Sequence, residues 1–197
     1  RTGQMWGCET FGITPDILTC AKALTSGYIP IAAVLINQRV FDAIAPQTEE
    51  IGTFGHGFTY SGHPVPAAVA LETLKIYDEI DLVARVKQAS KPFLKRLHSF
   101  TDHPLVGETM GVGLVGAVEM VADKTTRAPF EPAGKTGAYL VARAQAHGLI
   151  VRQLGDRIAF SPPLIISESE IGSMFDRFAA ALDETAEWLK TGGLTAN

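Results

Sequence analysis

The 197-residue sequence has no strong excess of charge: 17 Lys and Arg stand against 21 Asp and Glu, for a net charge of −4. No basic face dominates, which argues against a nucleic-acid partner or an anionic membrane surface. Only two cysteines occur, Cys8 and Cys20. They are too few for a disulfide framework and fit a reducing compartment, so a cytoplasmic location is expected. No apolar run approaches the roughly 18 residues of a membrane-spanning helix, and no basic-then-apolar leader opens the chain. Internal repeats and low-complexity tracts are also missing. What is present is 46% hydrophobic and 19% charged, an ordinary globular balance with room for one large domain or two modest ones. The first residue is Arg1 rather than Met, inside a Gly-containing segment; either a removed leader or a lost beginning fits that.

Periodicity then orders the chain. Residues 17–21 and 31–36 are short apolar runs that read as buried strands. Asn37 is placed to cap a short helix through about Ile44, with Pro46 beyond its end. A loop rich in Gly and aromatics covers 52–63, and Pro64 suits the first turn of a helix to about Tyr77. The apolar face of that helix would be Ala67, Ala68, Ala70, Leu71 and Leu74. From Asp81 a further helical pattern carries Leu82, Val83, Val86, Phe93, Leu94 and Leu97 roughly on one side. Residues 112–121 read as a strand, and 133–147 as an amphipathic helix closed by Gly148. Residues 150–154 and 157–160 read as two short strands joined at Gly155-Asp156. Ser167 and Glu170 form a capping box for a last helix to about Lys190. Alternating strand and helix thus gives way to a mixed α+β portion. The expected domains are 1–79 and 80–197, with the boundary near Tyr77 to Asp81.

Lys22 is the most informative residue. The other lysines lie in helical or polar-loop segments and read as solvated charges, but Lys22 ends the apolar run Ile17 to Ala21. Open α/β sheets keep their ligands at the carboxyl ends of strands. Burial there lowers an ammonium pKa and makes the amine a nucleophile and Schiff-base former. The bland alternative is a strand-end lysine that snorkels to water. The segment from His56 to Pro64 places the hydroxyls of Thr59, Tyr60 and Ser61 among glycines before a helix start. That suits an anion such as phosphate, or a tight loop whose hydroxyls cap the helix. Arg152 interrupts an apolar strand, so it reads either as a carboxylate clamp or as half of an ion pair with Asp156 or another acid. Two patterns are decoys. Gly111, Gly113 and Gly116 satisfy G-x-G-x-x-G, but a strand-like run follows where a dinucleotide site needs a helix. Cys8, Cys20, His56 and His63 lack zinc-ligand spacing, so no metal site is expected.

Assembled, these segments resemble the class III aminotransferases of fold-type I, the pyridoxal-phosphate-dependent enzymes, and most of all their amine:pyruvate or ω-transaminase group. The resemblance is carried by Arg1-Thr2-Gly3, Pro15-Asp16-Ile17 and Lys22 through Tyr28. It continues in Phe58 through Pro64, Gly111-Val112-Gly113-Leu114, and Arg152 through Asp156 with Ser161 through Leu164. It implies an α/β chain made of the second half of the large cofactor domain plus the small α+β carboxyl-terminal domain. It implies pyridoxal 5'-phosphate as cofactor, bound as a Schiff base to Lys22, whose freed amine then carries a proton between substrate and cofactor. Thr59, with the adjacent Phe58 backbone, would bind the phosphate of the neighbouring subunit in a homodimer. Arg152 would hold the carboxylate of the keto acid and swing aside for amines that lack one. In the family an aspartate facing the pyridine nitrogen, a Gly/Ser phosphate loop and a stacking aromatic lie upstream of the position of Arg1. This stretch by itself is therefore expected to be inactive. The implied reaction moves an amino group from a primary amine or ω-amino acid to pyruvate or a similar keto acid. Other class III activities (ornithine or 4-aminobutyrate aminotransferase, glutamate-1-semialdehyde mutase) and an inert dimerisation module of the same fold are the alternatives.

Overall fold

A computed structural model describes residues 1–194. Met5–Leu82 forms one compact unit; Arg1–Gln4 joins the chain from Val83 onward in the other. Among the described residues no helix is long and apolar enough to cross a membrane.

The Met5–Leu82 unit contains α1 (Gly7–Thr10), β1 (Ile17–Ala21), a 3-10 turn at Lys22–Thr25, β2 (Ala32–Ile36), α2 (Gln38–Ile51) and α3 (Pro64–Glu79). β1 and β2 pair antiparallel, with Ile17 opposite Ile36 and Ala21 opposite Ala32. Both were expected to be buried, yet Ile17, Val34, Leu35 and Ile36 are all exposed. Two strands alone make a ribbon with no second layer over either face. α2 begins as expected, with the Asn37 side chain accepting from the Val40 N–H at 3.1 Å. It then runs through Pro46 instead of stopping before it. A proline removes a single N–H from the ladder. The stop is Gly52, at φ 77°, whose N–H bonds the Thr48 carbonyl at 2.9 Å. α3 starts at Pro64, and the ring of His63 accepts from the Val65 N–H at 3.1 Å. Its inner stripe is rotated from the expected one. Leu71 is exposed, whereas Thr73 is buried and donates to the Val69 carbonyl at 2.8 Å.

The second unit contains α4 (Leu82–Ser99), β3 (Val106–Val112), β4 (Val115–Met120), α5 (Lys135–Ala146), β5 (Arg152–Leu154), β6 (Arg157–Phe160) and α6 (Glu168–Lys190). Its four strands pair antiparallel in the order β3-β4-β6-β5. The core face gathers Val106, Val118, Ile158 and Phe160 against Phe93 and Leu97 of α4 and Phe175 and Phe178 of α6. Phe175 lies 5.3 Å from Phe93, 5.3 Å from Phe160 and 5.8 Å from Phe100, measured between ring centroids. α6 opens on the expected capping box, Ser167 N–H donating to Glu170 Oε2 at 2.8 Å.

The strand expected over 112–121 is in fact the far half of a hairpin: Val112 pairs with Val115 around Gly113-Leu114, and β3 precedes it. Glycines at 107 and 111 dilute the alternation that would have marked β3. Their reason is packing. A Cβ on Gly111 would lie 2.7 Å from the methyls of Leu94 and Leu97, and one on Gly116 would lie 2.4 Å from Leu97. Gly113 has φ 60°, and a Cβ there would meet the Arg1 carbonyl oxygen at 2.1 Å. That carbonyl accepts from the Leu114 N–H at 2.8 Å. The G-x-G-x-x-G spacing therefore serves a turn and a close helix–sheet approach.

Candidate functional site

Lys22 follows β1 directly and opens the 3-10 turn with φ 52°, one of four non-glycine residues with positive φ among the described residues. That left-handed geometry costs an L-residue roughly 1–2 kcal/mol, so the surrounding bonds must hold it. Gly27 N–H donates to the Lys22 carbonyl and Ser26 N–H to the Ala23 carbonyl, both at 3.2 Å. The buried Thr25 hydroxyl donates to the Ile29 carbonyl at 2.6 Å, and the Tyr77 hydroxyl to the Ala23 carbonyl at 2.8 Å. Lys22 lines a cavity of about 570 Å³ together with Thr25, Gly27, Ile29 and Ile31. The burial expected of Lys22 is not observed. It is exposed, because the β1–β2 ribbon has no covering layer, and its amine has no hydrogen bond or ion pair among the described residues.

The loop before α3 is exposed throughout. Ser61 Oγ accepts from the Phe58 N–H at 3.3 Å, and the Ser61 N–H returns to the Phe58 carbonyl at 2.9 Å. The helix cap falls to His63, not to any of the three hydroxyls. The Thr59 hydroxyl has no partner among the described residues. Phe58 presents its ring to solvent, with 75% of the residue exposed.

Arg152 begins β5 opposite Ala159, on the sheet face turned away from buried Ile158 and Phe160. The ion pair with Asp156 does not form. Asp156 instead accepts from the Gly134 and Gly137 N–H groups, each at 2.8 Å, and so caps the start of α5 from outside the helix. Arg157, on the same face, is paired with Glu119 at 2.6 Å. Arg152 is exposed, unpaired among the described residues, and lines a cavity of about 350 Å³ with Ile150, Phe160, Pro162 and Met174.

An amine, a hydroxyl and a guanidinium are thus each presented without a protein partner, Lys22 and Thr59 in one unit and Arg152 in the other. Taken separately, these donors suit a carbonyl carbon, a phosphate and a carboxylate in turn. Cys8 and Cys20 are free thiols, and no cluster of metal-ligating side chains occurs among the described residues. Of the two residues that hold the Lys22 turn, Thr25 lies within the motif from Lys22 to Tyr28 and Tyr77 marks only the expected end of a helix; nothing in the sequence pairs either with the turn's carbonyls.

The sequence pattern of the family described as aminotransferase class-III matches residues 1–182. Gamma aminobutyrate transaminase 3, chloroplastic, from Solanum lycopersicum is 48% identical over 94% of this chain and 36% of its own length. The mitochondrial gamma aminobutyrate transaminase 1 of the same plant is 44% identical over the same shares. Among solved structures, the omega transaminase from Pseudomonas jessenii in complex with PMP superposes with a TM-score of 0.91 at 52% identity. It covers 100% of this chain and 43% of the other. A transaminase with L-ala gives a TM-score of 0.93 at 48% identity over 96% of this chain and 45% of the other. The chain spans roughly two fifths of the length of the proteins it matches.

Proposed function

The chain belongs to the class-III aminotransferases and has the α/β architecture of the fold-type I pyridoxal-phosphate transferases, and from that premise we propose that the protein carrying it transfers an amino group from a primary amine or ω-amino acid to pyruvate or a similar keto acid. The observation that carries this reading is Lys22: a lysine in left-handed geometry at a strand end, lining a cavity, with its amine unpartnered.

In this reading the Lys22 amine is the covalent attachment point of pyridoxal 5'-phosphate. Once freed, its Nζ would accept and return a proton at the substrate carbon. The bound cofactor supplies the electron sink. Thr59 donates its free hydroxyl to the phosphate of the neighbouring subunit's cofactor, which makes the active unit a homodimer. The Phe58 N–H joins it by giving up its 3.3 Å bond to Ser61. Arg152, unpaired on an exposed strand, binds the carboxylate of the keto acid in one half-reaction and turns away when the amine has none.

On the donor side we favour ω-amino acids of the 4-aminobutyrate kind together with simple primary amines. The names of the relatives speak for the first; for the second, solved structures similar to the chain are named omega transaminases, one of them a variant engineered for the synthesis of bulky amines. An arginine free to turn accommodates both. We place the protein in the cytoplasm, where Cys8 and Cys20 remain thiols; a fusion protein imaged in a chloroplast or mitochondrion, the sites named for the tomato relatives, would overturn that placement.

Borohydride reduction of the cofactor-loaded protein followed by peptide mapping tests the central assignment. A single labelled peptide containing Lys22 is expected. A label on another lysine would defeat it, and a colourless protein with no reducible adduct would point to an inert module of the same fold.

A further inference from the structure

We infer that Tyr77 is a positioning residue for Lys22, acting through the Ala23 carbonyl; the inference rests on Lys22 as the cofactor-bearing lysine. Lys22, Ser26 and Gly27 all have positive φ, at 52°, 51° and 83°. For the two non-glycine residues this is unfavourable geometry that nothing intrinsic to the segment sustains. Within the turn the bonds are long, Gly27 N–H to the Lys22 carbonyl and Ser26 N–H to the Ala23 carbonyl both being 3.2 Å.

The shorter anchors come from side chains. Thr25 Oγ1 donates to the Ile29 carbonyl at 2.6 Å, closing the turn on the bend that leads to β2. Tyr77 reaches across 54 residues from the last turns of α3 to donate to the Ala23 carbonyl at 2.8 Å. Among the described residues it is the only side-chain hydrogen bond between α3 and this turn, and both lie in the Met5–Leu82 unit. The Ala23 carbonyl belongs to the Ala23–Leu24 peptide, the second peptide after Lys22. Fixing it anchors the turn one residue beyond Lys22 and so limits how the Lys22 backbone can rotate and where the lysine stem points. α3 has a second connection: its first turn emerges from the loop that carries Thr59. One rigid helix therefore spans from the proposed phosphate-binding loop to the hold on Lys22.

The test is Tyr77→Phe in the cofactor-loaded protein, a change that removes one oxygen and keeps the ring. Hydrogen exchange at the Ser26 and Gly27 amides is expected to speed up roughly tenfold, the scale of one lost hydrogen bond. The pH at which the visible absorption band of the lysine-bound cofactor changes should shift. Turnover should fall roughly tenfold with KM for the amine little changed, as for loss of orientation rather than of uniform binding. Lys75→Ala, an exposed change on the same helix, should move none of these. Exchange and band titration both unmoved in Tyr77→Phe would overturn the inference, whatever the activity does. Acceleration spread across β1, β2 and the whole of α3 with a lower melting temperature would overturn it too, as general loosening. Peptide mapping of the reduced wild-type protein separates the two levels. A label on another lysine overturns the assignment of Lys22 and the role of Tyr77 with it. A label on Lys22 with exchange and band titration both unmoved in Tyr77→Phe overturns the role of Tyr77 alone.

Discussion

The two units bury their side chains very differently. Among the described residues every large buried hydrophobic except Leu82 lies in the unit that begins at Val83. All but three of the exposed large hydrophobics lie in Met5–Leu82. The second unit is held by close packing: phenylalanine rings tilted around Phe175, glycines that let α4 touch the sheet, and a fully buried strand face. The first is held by backbone turns, an Asn cap, a His cap and single side-chain hydrogen bonds. Each proposed site residue inherits the mechanics of its unit. Arg152 rides on a sheet whose register is fixed by the core beneath it, whereas Lys22 depends on a turn whose geometry rests on a handful of bonds. Residues for packing and for chemistry are thus separated in the first unit, where few side chains do the former.

The comparison can be broken at several points. Lys22→Ala in the loaded protein should abolish nearly all turnover and the reducible cofactor adduct, since nucleophile and proton carrier vanish together. Retained steady-state transfer would remove the exposed turn from the chemistry. Next in size, Phe175→Ala should lower unfolding free energy by about 3–5 kcal/mol, while Phe58→Ala on the exposed loop should change it by no more than about 0.5 kcal/mol. Denaturant titration reads both, and equal losses would erase the contrast between the units. Arg152→Ala should slow the half-reaction with pyruvate roughly 10- to 150-fold, the worth of a charged hydrogen bond of about 1.5–3 kcal/mol, and spare the half-reaction with a simple amine. Equal losses in both would make Arg152 structural.

The smallest effect concerns acid stability of the packed unit. Hydrogen bonds from Arg143 and His147 hold the Glu184 carboxyl below its ordinary range. A carboxylate whose folded pKa is depressed adds stability that is complete above its unfolded value, about 4.3, and that drains away as pH falls through the folded one. Melting temperature should therefore drop below that pH, and Glu184→Gln should flatten the acid limb by losing that contribution at neutral pH while changing little at acid pH. An unaltered acid limb would show that the bonds between α5 and α6 contribute nothing there.

Much of the local structure was legible because its causes are local. Asn37, Pro64, Gly148 and the Ser167–Glu170 pair mark helix ends through bonds spanning a few residues, and all are found where the sequence places them. The hairpin of β5 and β6 around Gly155-Asp156 is equally plain. The misses have non-local causes. β3 hides behind glycines whose purpose is a helix packed on the sheet. α2 passes Pro46 because the ladder on either side survives one missing donor. By sequence Asp156 is a candidate partner for Arg152, but it is spent on the amides that open α5, 19 and 22 residues away in sequence.

Residue type and spacing by themselves determined which side chains are candidates for chemistry: a lysine closing an apolar run, hydroxyls among glycines before Pro64, an arginine interrupting a strand. They also determined the family, since several motifs in one order rarely recur by chance. Only the tertiary structure decided what surrounds those side chains. It left Lys22 exposed rather than buried, freed Arg152 by engaging Asp156 elsewhere, and set Tyr77 on the Ala23 carbonyl from 54 residues away. Burial and partnership depend on which distant segments pack together, and that is a property of the folded chain that no short window of sequence contains.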